Sequence, residues 1–162
     1  RYADLAAALE VAEGERVPLA DAREAVLAQR RRRGMVLDPA DHDTWSCGSF
    51  FTNPILSKAE YQTLVDRVAT RLGGPAPVPP RWEAPTGVKT SAAWLIERAG
   101  FGKGFGMPGP AALSTKHTLA VTNRGTASAQ EILALARTVR DGVADAFGVR
   151  LVNEPVLVGL TL

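Results

Sequence analysis

The sequence predicts an α+β fold, in which helices pack against a small mixed or antiparallel sheet. Three observations carry that expectation. Two Ser-x-x-Glu boxes, Ser57 with Glu60 and Ser128 with Glu131, each open a run of apolar residues at helical spacing. In "HTLAVTN", Leu119 and Val121 alternate as the residues of a half-buried strand do. Helical and extended segments then follow one another irregularly, without the serial strand–helix–strand order of a parallel sheet. At 162 residues the chain is long enough to bury a core without metal or disulfides, and residues 1–162 read as a single domain.

Along the chain, Tyr2, Leu5 and Leu9 recur at helical spacing. In "LADAREAVLAQRRRRG", Asp21 and Glu24 lie early, Arg30 to Arg33 late, and Gly34 just beyond. Carboxylates favour the positive end of a helix and cations its negative end, and glycine takes a C-cap's positive φ, so a helix is predicted over residues 20–33. Residues 35–50 read as a loop leading into a short extended segment, and Pro54 biases Asn53 away from helix. The helix opened by Ser57 carries Tyr61, Leu64, Val65, Val68 and Leu72 on one face and stops at Gly73 and Gly74. The following "PAPVPPRWEAPTG" holds five of the eleven prolines and is expected to be irregular. "SAAWLIERAG" predicts a short helix closed by Gly100, and a glycine-rich stretch separates it from the "HTLAVTN" strand. From Ser128 a long helix buries Ile132, Leu135, Val139, Val143 and Phe147 and runs to Gly148. The terminal "VRLVNEPVLVGLTL" is apolar and β-branched, which predicts strand interrupted at Pro155, on a sheet edge or at a bulge.

Composition excludes several classes. With 46% apolar and 22% charged residues and a net charge of +2, nothing calls for nucleic acid. No window approaches the roughly 20 apolar residues of a membrane span. The one cysteine, Cys47, has no internal partner, which points to a cytoplasmic address. A start at Arg1 without methionine suggests a chain cut from something longer.

Four stretches invite chemistry. "GFGMPG", residues 104–109, spells a dinucleotide fingerprint, but a helix precedes it and a strand follows, the reverse of what a pyrophosphate site needs, so it reads as a turn. "DPADHDTW" gathers Asp38, Asp41, His42 and Asp43, yet lacks the alternating ligands and glycine of a calcium loop. A solvated loop with Asx turns is the plainer reading, and no metal site is expected. Arg30 to Arg33 read as a solvated helix end, with an anion contact by one or two of them as the alternative. Finally, Ser49 in "SCGSF" lacks the second glycine of a nucleophile elbow, and no spacing marks His42 or His117 as its base.

Taken with its neighbours, that serine belongs to a longer pattern. "GSFFTNP" resembles the G-S-F-F-x-N-P motif of the UDP-N-acetylenolpyruvoylglucosamine reductase (MurB) family, flavoenzymes that form UDP-N-acetylmuramate for peptidoglycan. The resemblance continues in order through "KTSAAWLIERAGFGKG", "LSTKHTLAVTNRGTASAQEIL" and "FGVRLVNEPVLVG", and so spans nearly the whole chain. It concerns only the family's carboxy-terminal, substrate-binding part. The FAD-binding domain, the arginine that holds the substrate carboxylate and the tyrosine that some members close over it belong upstream. The resemblance therefore implies FAD held mainly by that absent domain, NADPH as reductant, UDP-N-acetylglucosamine enolpyruvate as substrate, and an inactive isolated chain. It names no cofactor-binding residue here.

Residue by residue, the resemblance makes Ser49 the proton donor to substrate carbon and Glu154 the second catalytic group. A serine hydroxyl is a poor acid toward ordinary bases but adequate toward a carbanion, if desolvated and well placed. The small Cys47–Gly48 pair then permits close approach, while Phe50 and Phe51 anchor the turn. By its residues alone Glu154 is an exposed glutamate beside Pro155; in the family's role it helps only when protonated or sharing a proton, since an ionised carboxylate would repel an enolate. Asn53 matches the motif asparagine and can contact substrate, bond its own turn, or both. Arg33 stands where lysine is more common, so fork geometry replaces a point charge toward phosphate or carboxylate. His117 implies a hydrogen bond near the sugar nucleotide, and Cys47 a packing role. Two other functions stay open: a non-catalytic UDP-sugar-binding module lacking its flavin domain, and RNA binding through the arginine run, which would be steeply salt-dependent.

Overall fold

Residues 2–162 are described by a computed structural model, and three of its helices begin at a serine that caps them. The Ser57 hydroxyl accepts from the Glu60 N–H at 3.2 Å while the Glu60 carboxylate accepts from the Ser57 N–H at 2.7 Å. The same reciprocal pair forms between Ser128 and Glu131. Ser91 caps a third helix by accepting from the Trp94 N–H, and that helix closes at Gly100 in the left-handed region.

In chain order the elements are α1 (Ala3–Ala8), α2 (Leu19–Arg32), a 3-10 turn (His42–Thr44), β1 (Ser46–Ser49), β2 (Ile55–Leu56) and α3 (Lys58–Leu72). There follow β3 (Trp82–Ala84), β4 (Gly87–Lys89), α4 (Ala92–Ala99), β5 (Ala111–Leu113), β6 (Ala120–Asn123) and α5 (Ala129–Phe147). The α+β class holds, but the strands form two three-stranded sheets, ordered β1-β6-β5 and β2-β4-β3, and every pairing is antiparallel.

The long helix α5 organises the core. It lies against α3, α4, β5 and β6, and its buried stripe of Leu133, Ala136, Val139, Val143 and Phe147 meets Leu64, Val68, Leu95, Ile96 and Leu113. By contrast α1 and α2 pack on each other and bury no residue fully. Their pairing leaves a cleft between α2 and the β1 sheet.

Two expectations need correction. The proline-rich stretch ends in a hairpin, β3 with β4, because Pro79 and Pro80 precede its first strand and Pro85 falls in its turn, so none interrupts a ladder. The carboxy-terminal segment forms no strand. It makes a single antiparallel bridge, Phe51 opposite Asn153, after which Pro155 lacks an N–H to continue and the Asn153 amide turns back to the Pro155 carbonyl. Within the loop before β1, the 3-10 turn at His42–Thr44 is capped by Asp41, whose carboxylate accepts from the Asp43 N–H.

Candidate functional site

Ser49 owes its position to a bulge. Ser46 pairs with Thr122 but Ser49 pairs with Ala120, so three steps along β1 answer two along β6. The extra residue is accommodated at Gly48, whose φ of 87° suits glycine. Immediately beyond, the Phe50 N–H donates to the Leu119 carbonyl at 2.7 Å. Phe50 and Phe51 are 2% and 1% exposed and meet edge to face, centroids 5.1 Å apart. Two buried rings thus hold a half-buried hydroxyl at the end of a strand.

Glu154 arrives from the opposite end of the chain. The Thr52 N–H donates to the Val152 carbonyl at 3.0 Å and the Glu154 N–H to the Phe50 carbonyl at 2.9 Å. These two bonds clamp the carboxy-terminal segment along the motif, and Glu154 is left exposed beside Ser49.

Two adjoining clefts meet at this pair. The larger, about 1140 Å³, is lined by Ser49, Glu154, Arg33 and His117 together with Arg30, Gln29, Cys47, Gly48 and residues of α1. The smaller, about 310 Å³, is lined by Ser49, Glu154, Asn53, Lys89, Phe51, Thr52 and Leu119. The structure therefore places all five expected site residues on one connected surface, with Ser49 and Glu154 shared by both clefts.

The others have identifiable supports. Asn53 does not bond its own turn: its Oδ1 accepts from the Ala92 N–H at 2.9 Å, fixing the first turn of α4. Its amide nitrogen has no hydrogen-bond partner among the described residues, and Asn53 lines the smaller cleft. Arg33 is the C-cap of α2, with Gly34 behind it at a φ of 70°. It makes one long contact to Asp4, 3.8 Å between exposed groups, which in water is worth little. His117 is half-buried, and its imidazole is held below its ordinary value by burial, by Arg33 and by Lys103, with Glu97 opposing. The larger cleft thus has a basic corner made of Arg30, Arg33 and a neutral imidazole, suited to an anion with hydrogen-bond acceptors.

Two readings are corrected here. Cys47 is exposed on the cleft wall and takes no part in core packing, because the bulge turns it outward. Asp43 is buried, although its neighbours Asp38 and Asp41 do form Asx turns with Ala40 and Asp43. Asp43 accepts from the Thr115 amide at 2.9 Å, from the Thr115 hydroxyl, and from Arg124 at 2.8 Å. Burial pushes its carboxyl up, but these donors outweigh burial and hold it below the usual carboxylate range. Lys116 pairs with Asp41 in the same cluster. The "DPADHDTW" loop is therefore a brace between β1 and the loop after β5, and among the described residues no group of three or more His, Cys, Asp and Glu side chains could hold a metal. Among the described residues, no helix is long and apolar enough to cross a membrane.

Sequence reasoning missed Lys89 as a cleft residue. Its signal was present, since it opens the "KTSAAWLIERAGFGKG" phrase, but only the β2-β4 pairing brings it beside the motif.

Comparison with known proteins yields one family. A family model described as UDP-N-acetylenolpyruvoylglucosamine reductase, C-terminal domain, matches residues 38–158. The whole chain is 63% identical to a UDP-N-acetylenolpyruvoylglucosamine reductase of Thermobifida fusca, covering 45% of that protein. It is 62% identical to one of Streptomyces avermitilis, covering 44%, and 57% identical to one of Mycobacterium tuberculosis, covering 44%. The chain thus spans less than half the length of the curated relatives it matches.

Proposed function

Since the chain belongs to the UDP-N-acetylenolpyruvoylglucosamine reductase family, whose C-terminal domain it carries, we propose that its joined clefts bind UDP-N-acetylglucosamine enolpyruvate and protonate it during reduction to UDP-N-acetylmuramate. One observation supports this most: Ser49 and Glu154, far apart in sequence, line both clefts.

When bound, a flavin, FAD held mainly by a further domain and reduced by NADPH, would supply the hydride. The residues here fit the edge of such a ring without enclosing it. Cys47 and Gly48 form a low wall, and a Cβ built on Gly48 would meet no heavy atom within 4 Å, so a flat group can approach Ser49 closely.

Ser49 acts on the substrate carbon. Hydride adds to the outer carbon of the enolpyruvyl group, and the π electrons move to the inner carbon and its carboxylate. The Ser49 hydroxyl then gives its proton to the inner carbon and recovers one from water. The bulge and the two phenylalanines hold the hydroxyl to one geometry, which lowers the entropic part of that barrier. Glu154, when it carries or shares a proton, donates toward the enolate. Arg33 and His117, in the basic corner, take the diphosphate and sugar, and Asn53 directs its amide to substrate while its oxygen holds α4. A cytoplasmic location accords with this reading.

The test is anaerobic rapid mixing of the full-length protein, flavin reduced beforehand, with the enolpyruvyl nucleotide. Flavin oxidation coupled one-to-one to UDP-N-acetylmuramate is expected. Tight binding without flavin oxidation would favour a non-catalytic sugar-nucleotide module.

A further inference from the structure

The smaller cleft contains one cation, Lys89, and that cation belongs to none of the ion pairs found among the described residues. Elsewhere the cations that brace the fold are matched: Lys116 with Asp41, Arg124 with Asp43, Arg140 with Asp141. Lys89 is exposed yet firmly based. It lies on β4, the central strand of its sheet, opposite Ile55 on one side and Trp82 on the other. Both neighbours are about half exposed, at 50% and 53%, and cross-strand partners of that size can cover a lysine's aliphatic stem while the ammonium stays free. The next residue, Thr90, is buried; its N–H donates to the Pro54 carbonyl at 3.0 Å and its hydroxyl to the Pro80 carbonyl at 2.7 Å. Lys89 is thereby tied to the Asn53–Pro54 turn of the motif itself.

The other polar groups lining this cleft are the hydroxyls of Ser49 and Thr52, the Asn53 amide and the Glu154 carboxyl. None brings positive charge. Among the residues lining this smaller cleft, a substrate carboxylate that gains further negative charge beside Ser49 would find only neutral or acidic side chains were Lys89 absent. We propose that Lys89 contacts the acceptor's carboxylate and balances the charge that reaches it when the enolate forms. Lys89 contributes charge alone; Ser49 gives the proton to carbon. This assignment rests on the reductase reading, and an arginine from the further domain would share the carboxylate.

The experiment uses the full-length protein with Lys89→Met and Lys89→Arg. Calorimetric titration with UDP-N-acetylmuramate, which has the carboxylate, and with UDP-N-acetylglucosamine, which lacks it, separates the contacts. Lys89→Met should weaken the first about tenfold or more and the second less than twofold, with Lys89→Arg recovering most of the loss. In rapid mixing, Lys89→Met should slow flavin oxidation by the enolpyruvyl nucleotide about 100-fold and leave flavin reduction by NADPH unchanged. Equal weakening toward both nucleotides would assign Lys89 to the diphosphate and overturn the proposal, as would wild-type behaviour or equal loss in both half-reactions. If Ser49→Ala slows flavin oxidation and Lys89→Met does not, only the Lys89 assignment fails; if the enolpyruvyl nucleotide binds but does not oxidise the wild-type flavin, the reductase reading fails with it.

Discussion

The Glu154 N–H donates to the Phe50 carbonyl at 2.9 Å, one residue past Ser49. It is a backbone bond, so it sets the position of Glu154 without using its side chain. The carboxyl makes no hydrogen bond or ion pair among the described residues, so the fold does not depend on it.

That separation gives the first prediction. Glu154→Ala in the full-length protein should leave the thermal midpoint within about 1 °C, because an exposed side chain without a fold contact is removed. Flavin oxidation by the enolpyruvyl nucleotide should slow about 100-fold. A fall in thermal midpoint of several degrees would show that the side chain is structural.

Asp43 should behave in the opposite way. Asp43→Asn removes the charge from a buried cluster that holds Arg124 and Thr115, and should destabilise the protein by about 3 kcal/mol at neutral pH. Its carboxyl is held below the ordinary 3.8, so the stability it contributes is present above that value and lost as pH falls through the lower, folded one. The gap between wild type and variant in urea midpoint should therefore close on strong acidification.

Gly87 tests the junction of β4, the strand that carries Lys89, with β2. A Cβ there would stand 2.1 Å from the Leu56 carbonyl oxygen, a backbone atom that cannot step aside. Gly87→Ala should cost about 2 kcal/mol or more, measured by urea unfolding. Gly48→Ala, whose Cβ meets nothing within 4 Å, should cost only the strain of its positive φ, about 1 kcal/mol.

His117 links stability to pH in the range where histidine titrates. Burial and the nearby cations Arg33 and Lys103 hold its folded value below 6.5, so the unfolded chain takes up a proton first as pH falls. Its contribution is full above 6.5 and declines as pH drops below it. Urea midpoints should fall between about pH 7.5 and 5.5, and His117→Gln should flatten that slope. An unchanged slope in the variant would remove His117 from the account.

Helices were legible in the sequence because their signals are local: Ser57, Ser91 and Ser128 each announce a start, and Gly100 and Gly148 an end in the left-handed region. The hairpin of β3 and β4 was not, since prolines that border a strand look like prolines that forbid one. The strand expected at the carboxy terminus shrank to one bridge, because an apolar, β-branched run says nothing about whether a partner edge continues past Pro155. For the site, the motif around Ser49 located the hydroxyl, and the resemblance named Glu154, Asn53, Arg33 and His117. What it could not supply was Lys89, whose nearness to Ser49 depends on the pairing of Ile55 with Lys89 across two strands. Nor did it reveal that Asn53 braces α4, or that Asp43 is buried, since both depend on partners distant in sequence.

The central claim is that Ser49 gives a proton to carbon, and Ser49→Ala tests it most directly when the two half-reactions are followed separately in the full-length protein. The account predicts NADPH-driven flavin reduction at the wild-type rate and flavin oxidation by the enolpyruvyl nucleotide slowed about 1000-fold or more. Equal slowing of both halves, or wild-type oxidation, would contradict it.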